Sequence, residues 1–263
     1  MAVGAPARRQ GRAPLVLVGA VLGFVASGLL HVLIGWVTLQ VAYDLPGGDQ
    51  PADERGALRV LAGTEHGAVL LWLLVAGFAA ITLWQADVAR AGACGIAERV
   101  KAAGRAAVYA ALAGSALAVV RHPLGGELGP TKAPAESFTG WLLAQPWGRA
   151  SVGALGGVVV GVALYHVAKG ASSRFLRDLR EHPGRWIVAA GRFGYAAKGV
   201  ALLLVGGFFV AAAVGTEDEP LGLDGALRAV ADMPLGTVLL TAAAVGFVAF
   251  GAYTFGRAVY FRP

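Results

Sequence analysis

The sequence predicts an all-α membrane protein, and three observations predict it. Hydrophobic residues make up 57% of the 263-residue chain and charged residues 14%, whereas soluble domains carry about a quarter charged residues. The charges are confined to short stretches between six apolar runs, at about 14–42, 66–89, 100–120, 149–168, 187–214 and 235–260. Each run approaches or exceeds the ~20 residues a helix needs to cross hydrocarbon. Finally, the stretch Gly23-Phe24-Val25-Ala26-Ser27-Gly28, continuing to Gly35, returns 171 residues later as Gly194-Tyr195-Ala196-Ala197-Lys198-Gly199, continuing to Gly206. Inside a bilayer the backbone must satisfy its own hydrogen bonds, so the runs are helices. The alternation of a membrane barrel, polar and apolar over ~10 residues, is not seen. The predicted class is a polytopic bundle of six transmembrane helices in three parallel two-helix repeats, with short outer amphipathic helices.

Taken in order, the chain opens with Arg8, Arg9 and Arg12 before the first run. That run is too long for a signal-peptide core of roughly 7–15 residues, so it reads as a retained span. After it, Asp53-Glu54-Arg55-Gly56-Ala57-Leu58-Arg59 places acids at the start of a short helical pattern, where they favour a helix N-terminus. Asp224-Gly225-Ala226-Leu227-Arg228 repeats the design, and Gly67 and Gly236 each follow eleven residues after its glycine. Both segments predict short amphipathic helices on the outer membrane surface, leading into the next span. The middle counterpart, 137–148, ends Pro146-Trp147-Gly148, echoing Pro234-Leu235-Gly236. The linker 172–184 is basic and polar, and predicts a segment on the lipid surface that attracts anionic headgroups. The lone cysteine, Cys94, sits among glycines and reads as an idle thiol in a loop or helix end.

Charge sets the orientation. Sixteen of the 22 Lys and Arg fall at the two termini and in the second and fourth connections, while 12 of the 16 acids lie in the other three. By the positive-inside rule both termini are cytoplasmic. Trp141 and Trp147 fall near the outer edge and Trp84 and Trp186 near the inner edge, whereas Trp36 and Trp72 lie deeper and read as packing residues. The surplus of +6 is thus topological and does not indicate nucleic acid.

The chain therefore divides into repeats at 14–90, 97–170 and 186–260 within one membrane domain, each a span, an outer helix and a span. Parallel repeats of this kind imply pseudo-threefold symmetry about the membrane normal. The pattern Gly-aromatic-x-Ala-x-Gly, then Gly-Ala-Leu-Arg and a Pro-x-Gly span entry, resembles a bacterial integral-membrane family, Domain of Unknown Function 1206. The resemblance covers nearly the whole chain. It implies an inner-membrane protein of six helices in three paired units, with no established activity and no catalytic residues to carry over. The first unit departs from the expected Arg-x-Gly-Tyr start, and the second lacks the glycine pattern.

Gly23, Gly28, Gly35, Gly194, Gly199 and Gly206 read as helix-packing positions, because small residues let backbones approach in lipid. Gly157 and Gly161, four apart, read likewise. Among ionisable residues, His31 lies ~26 Å along a helix beginning near Pro14, close to the midplane. Intramembrane ionisable groups are functional candidates, although one hydrogen bond satisfies a neutral histidine. Glu65, His66 and His122 near the outer mouths could join His31 as metal-ligand types, but no His-x-x-x-His spacing supports a metal site. Lys198 takes the place of Ser27 and reads as a snorkelling lysine. Gln40, with Thr38 and Tyr43, gives the first span a polar stripe that lines a cavity or bonds neighbouring helices. His166 reads as interfacial.

No catalytic constellation is visible. The carboxylates cluster in outer loops, and no Asp or Glu relay lies inside a span. The expected function is therefore a non-enzymatic structural, accessory or partner-binding protein of the bacterial inner membrane, with no cofactor. Its expected partners are lipids and other membrane proteins. The alternatives are a small transporter or channel with a polar cavity near His31, and a haem-binding redox subunit.

Overall fold

The computed structural model describes residues 13–90, 95–122, 134–179, 183–215 and 222–260, with side chains of 13–19, 134–138 and 178 left aside. Arg8, Arg9, Arg12, Cys94, Lys132 and the acids at 217–219 lie outside the described residues. Nine α-helices are described: α1 Ala13–Ala42, α2 Glu54–Ala62, α3 Gly67–Arg90, α4 Ile96–Arg121, α5 Pro134–Leu143, α6 Gly148–Ala171, α7 Arg185–Val214, α8 Gly222–Ala231 and α9 Gly236–Tyr260. A 3-10 turn, Arg174–Asp178, follows α6. No strand occurs among the described residues. The helices α1, α3, α4, α6, α7 and α9 are long and apolar enough to cross a membrane.

The short helices start and stop for identifiable reasons. Asp53 caps α2, its Oδ1 accepting the N–H groups of Arg55 at 2.9 Å and Gly56 at 3.1 Å. This satisfies donors that have no partner within the helix. Each unit then makes the same tight turn into its second long helix. The N–H of Gly67 bonds Thr64 O, that of Gly148 bonds Gln145 O and that of Gly236 bonds Met233 O, all at 2.8–2.9 Å. A Cβ at these glycines would run into the carbonyls of Leu61, Leu142 and Ala231 respectively. Close backbone approach therefore explains the glycine at all three entries.

The short helices α2 and α8 are amphipathic, and their apolar faces turn toward the bundle. Ala57, Leu58 and Leu61 of α2, and Ala226, Leu227 and Val230 of α8, are buried. Helix α2 packs on α1, α3 and α4, and α8 on α7, α9 and α1. Their apolar stripes face other helices rather than acyl chains. The two ends are tied together by charge-assisted bonds. Asp224 Oδ1 accepts Ala52 N–H at 2.7 Å and Arg228 Nε–H at 3.0 Å, while Arg228 also reaches the carbonyls of Gly48, Asp49 and Gln50.

The long helices neighbour one another in the order α4, α3, α1, α9, α7, α6. They curl round a shared core that draws Leu30, Ile34 and Val37 from α1, Phe78 from α3, Val119 from α4, Ala201 from α7 and Phe247 from α9. The most extensive pairings join different units: α6 on α7, α9 on α1, and α3 on α4. Within units, α1 packs on α3 and α7 on α9, but α4 and α6 of the middle unit do not pack on each other. The three repeats thus differ in how closely their two long helices meet, the middle one standing apart from the first and third.

Glycine explains the difference. Gly23 meets Ile81 and Gly194 meets Phe250, each on the second long helix of its own unit. From the other side, Gly77 meets Leu22 O and Ala26, and Gly246 meets Ala197. In the middle unit Tyr109-Ala110-Ala111 stands where the third has Tyr195-Ala196-Ala197. Like Phe24 and Tyr195, Tyr109 packs on the second long helix of the preceding unit: Phe24 under Arg257 of α9, Tyr195 beside His166 of α6, and Tyr109 on Phe78 of α3. In this register Val108 replaces Gly23 and Gly194. Ten residues after Gly148, Val158 replaces Gly77 and Gly246. Val108 is 59% and Val158 64% exposed. Two branched side chains stand where the other units bring backbones together.

Of the predicted packing residues, Gly28 sits on Phe255 and Gly251 O, and Gly35 on Ala244 O and Val248. Their counterparts Gly199 and Gly206 sit on α6, against Ala163 O and Val167 and against Val160 and Gly156 O. By contrast, Gly157 and Gly161 face open space. Trp36 and Trp72 are not packing residues: they are 48% and 55% exposed.

Candidate functional site

Three long helices bring polar chemistry together at one level. His31 comes from α1, one turn beyond Ser27, and its Nδ1 lies 2.7 Å from Ser27 O. A carbonyl only accepts, so Nδ1 carries the hydrogen and Nε2 of the neutral ring presents its lone pair. Lys198 from α7 supplies the donor, with Nζ 2.9 Å from Nε2. Phe250 from α9 closes the group: its ring centroid lies 4.7 Å from that of His31, and Lys198 Nζ lies 4.4 Å above its face. An ammonium over an aromatic face is attracted by the ring quadrupole.

Lys198 is therefore not a snorkelling side chain. It is partly buried and reaches inward to another repeat. The repeat register gives the reason. Lys198 occupies the place of Ser27, one turn below His31, and α9 packs on both α1 and α7.

Below the pair lies an aromatic floor. Tyr195 is ringed by Phe175, Phe250 and Tyr253 at centroid distances of 5.1–5.5 Å, and by His166 at 5.7 Å. Lys169 Nζ lies 5.1 Å from the Tyr195 centroid. His166 is thus partly buried against α7, and its Nδ1–H donates to Val162 O at 2.8 Å. Sequence reasoning missed Phe250 and Tyr195 as partners of the charged residues. The signal available was the repeat: a cation over the first-helix aromatic recurs as Arg257 over Phe24.

The remaining candidates do not join this group. Gln40 donates through Nε2 to Pro46 O at 2.6 Å, fastening the chain where α1 ends. Thr38 donates back to Ile34 O, and the Thr241 hydroxyl donates to Thr237 O at 2.6 Å and lies 3.3 Å from Tyr43 Oη, whose O–H can donate to it. Glu65, His66 and His122 are exposed. No group of three or more His, Cys, Asp or Glu suited to a metal ion occurs among the described residues. Both nitrogens of His31 are engaged, Nδ1 by Ser27 O and the Nε2 lone pair by Lys198.

Comparisons with known proteins agree with the repeated architecture. The chain is 26% identical over 252 residues to the "Uncharacterized protein YxxB" of Bacillus subtilis (strain 168), an alignment covering 91% of this chain and 89% of that protein. No solved structure matches it. The family model described as Domain of Unknown Function (DUF1206) matches three successive segments, residues 22–92, 100–173 and 193–260. Those segments span most of the sequence, and the chain belongs to the DUF1206 family.

Proposed function

We propose that this protein is a non-enzymatic, multi-pass component of the bacterial cytoplasmic membrane, with both termini in the cytoplasm, that binds another membrane protein along the open flank between α4 and α6. One observation carries the reading. Every other neighbouring pair of long helices packs directly, while α4 and α6 of the middle unit do not, and Val108 and Val158 stand exposed at the positions where the other units have glycine. Helix α6 also presents Gly157 and Gly161 with open space beside them, the small-residue spacing that lets a foreign helix approach. The engagement of both His31 nitrogens favours this reading over a haem subunit. The enclosure of the Lys198 amine by His31 and Phe250 favours it over a transporter built on His31.

The test is purification of the tagged full chain in mild detergent beside Val158→Trp, which fills the flank. The expected result is a membrane protein that co-purifies with the native chain and is lost from the variant. Equal recovery from both would remove the flank as the binding surface. A Soret band, or solute flux in proteoliposomes that His31→Ala abolishes, would favour the competing readings. Reporters fused at Asp49 and Ser172 test the orientation, with opposite sides expected.

A further inference from the structure

We propose that the first turns of α7, with the groove beside them, bind one anionic phospholipid, its headgroup on arginines and an acyl chain in the groove. The proposal rests on the membrane location given above and is separate from the α4–α6 flank. Helix α7 has 30 residues, about 45 Å at 1.5 Å per residue, against a hydrocarbon thickness of about 30 Å. Its excess length lies at the start. Trp186 is 75% exposed there, with the Arg185 guanidinium 5.2 Å from its ring centroid, the behaviour of residues at headgroup depth. The other end stops at Gly215, beyond which α8 packs back into the bundle.

Arg185-Trp186 is followed seven residues later by Arg192-Phe193. Seven residues is two turns, so both doublets lie on one face, and all four side chains are exposed. The turn Arg174–Asp178 flanks α7 on another side, at Gly191, about 160° round the helix from Phe193. Phe175 is fully buried against Gly191 and Tyr253, which holds the exposed Arg174 and Arg177 on either side of it beside α7. Helix α7 contains no Asp or Glu, and Asp178 is the one carboxylate of the turn. From Phe193 a groove of about 370 Å³ opens along α9, walled by Val238, Ala242 and Val245 and ending at the hydrogen-bonded Tyr43 and Thr241. Guanidinium groups pair with phosphate oxygens in bidentate fashion, and an apolar groove beside them suits a tail. A soluble phosphate shares the headgroup chemistry but would leave the groove empty.

The test uses the full chain reconstituted in vesicles of phosphatidylcholine alone or mixed with phosphatidylglycerol, with retained lipid counted by native mass spectrometry. One retained phosphatidylglycerol is expected. Arg185→Gln with Arg192→Gln should weaken its retention roughly fivefold per charge removed. Ala242→Trp should weaken it with every arginine in place. Equal retention of the two lipids, native-like binding by both variants, or displacement by glycerol phosphate at equal concentration would overturn the site. Failure of the chain to insert into phosphatidylcholine would instead overturn the membrane location.

Discussion

The Lys198–His31 bond joins two residues that each depart from their repeat partner. Position for position, the first unit has Ser27 and His31 where the third has Lys198 and Leu202. Neither unit could make the bond alone. His31→Leu leaves an ammonium with only Phe250 for company, and an unpaired charged group at depth costs about 1–3 kcal/mol or more. Lys198→Ser removes the charge but leaves the Nε2 lone pair unsatisfied, about 1–2 kcal/mol. The double variant restores the composition of each position's repeat partner. It should therefore be less destabilised than the sum of the two, by about 1 kcal/mol or more, as residues in contact are. Thermal unfolding of the four proteins in detergent measures this, and strict additivity would show that the two side chains do not act as a pair. The sequence marked both residues as polar anomalies. It could not show that they meet, because they lie 167 positions apart and the contact depends on α9 drawing α1 and α7 together.

At the scale of an element, α2 makes a test of charge burial. Burial pushes the Asp53 carboxyl above the ordinary carboxylate range, and the charge of Asp224 adds to this, against the N–H groups of Gly56 and Arg55, which favour the carboxylate. Burial, then the charge of Asp53, raises Glu54 in the same direction. A carboxyl whose folded pKa is raised takes up its proton more readily in the folded state, so its contribution is fully present below the unfolded pKa and is lost as pH rises through the folded one. The protein should therefore become more stable as pH falls from neutral toward the ordinary carboxylate range. Asp53→Asn keeps a good cap and should flatten that slope. Asp53→Ala should lower stability by about 1 kcal/mol across the range. Melting temperature against pH separates the two. The cap itself was legible, since an acid before a helical pattern has one ready explanation. The destination of the helix was not, because a stripe of Ala57, Leu58 and Leu61 reads the same whether it meets lipid or protein. The same ambiguity put Trp36 and Trp72 inside when they face outward.

Glycines carry the argument between elements. Gly28→Val drives a branched side chain into Phe255 and Gly251 O, and Gly199→Val into Val167 and Ala163 O. Each should cost about 1–3 kcal/mol by overpacking. Gly157→Val enters open space and should leave the melting temperature of the isolated chain unchanged or slightly higher, since valine is the better helix former. A loss at Gly157 equal to that at Gly28 would mean that the α6 face is already occupied.

For the molecule as a whole, apolar runs of spanning length made the six long helices legible to within a few residues. The recurrence of Gly23-Phe24 as Gly194-Tyr195 made the first and third units legible as copies. The middle unit resisted because the residues that differ in it, Val108 and Val158, are the contact residues themselves. A repeat is recognised by its packing positions, and losing them hides the repeat and opens the structure together. This gives a reversible prediction. Val108→Gly with Val158→Gly restores the pattern of Gly23 with Gly77 and of Gly194 with Gly246. Each valine-to-glycine change costs about a few tenths of a kcal/mol of helix propensity, so the gain must come from α4 meeting α6. Spin labels at Arg121 and Arg149, the exposed ends of the two helices on one side, in a chain carrying Cys94→Ser, should report a shorter separation in the double-glycine protein. The same protein should lose any membrane protein that co-purifies with the native chain. An unchanged separation would mean that something other than these two valines keeps the flank open.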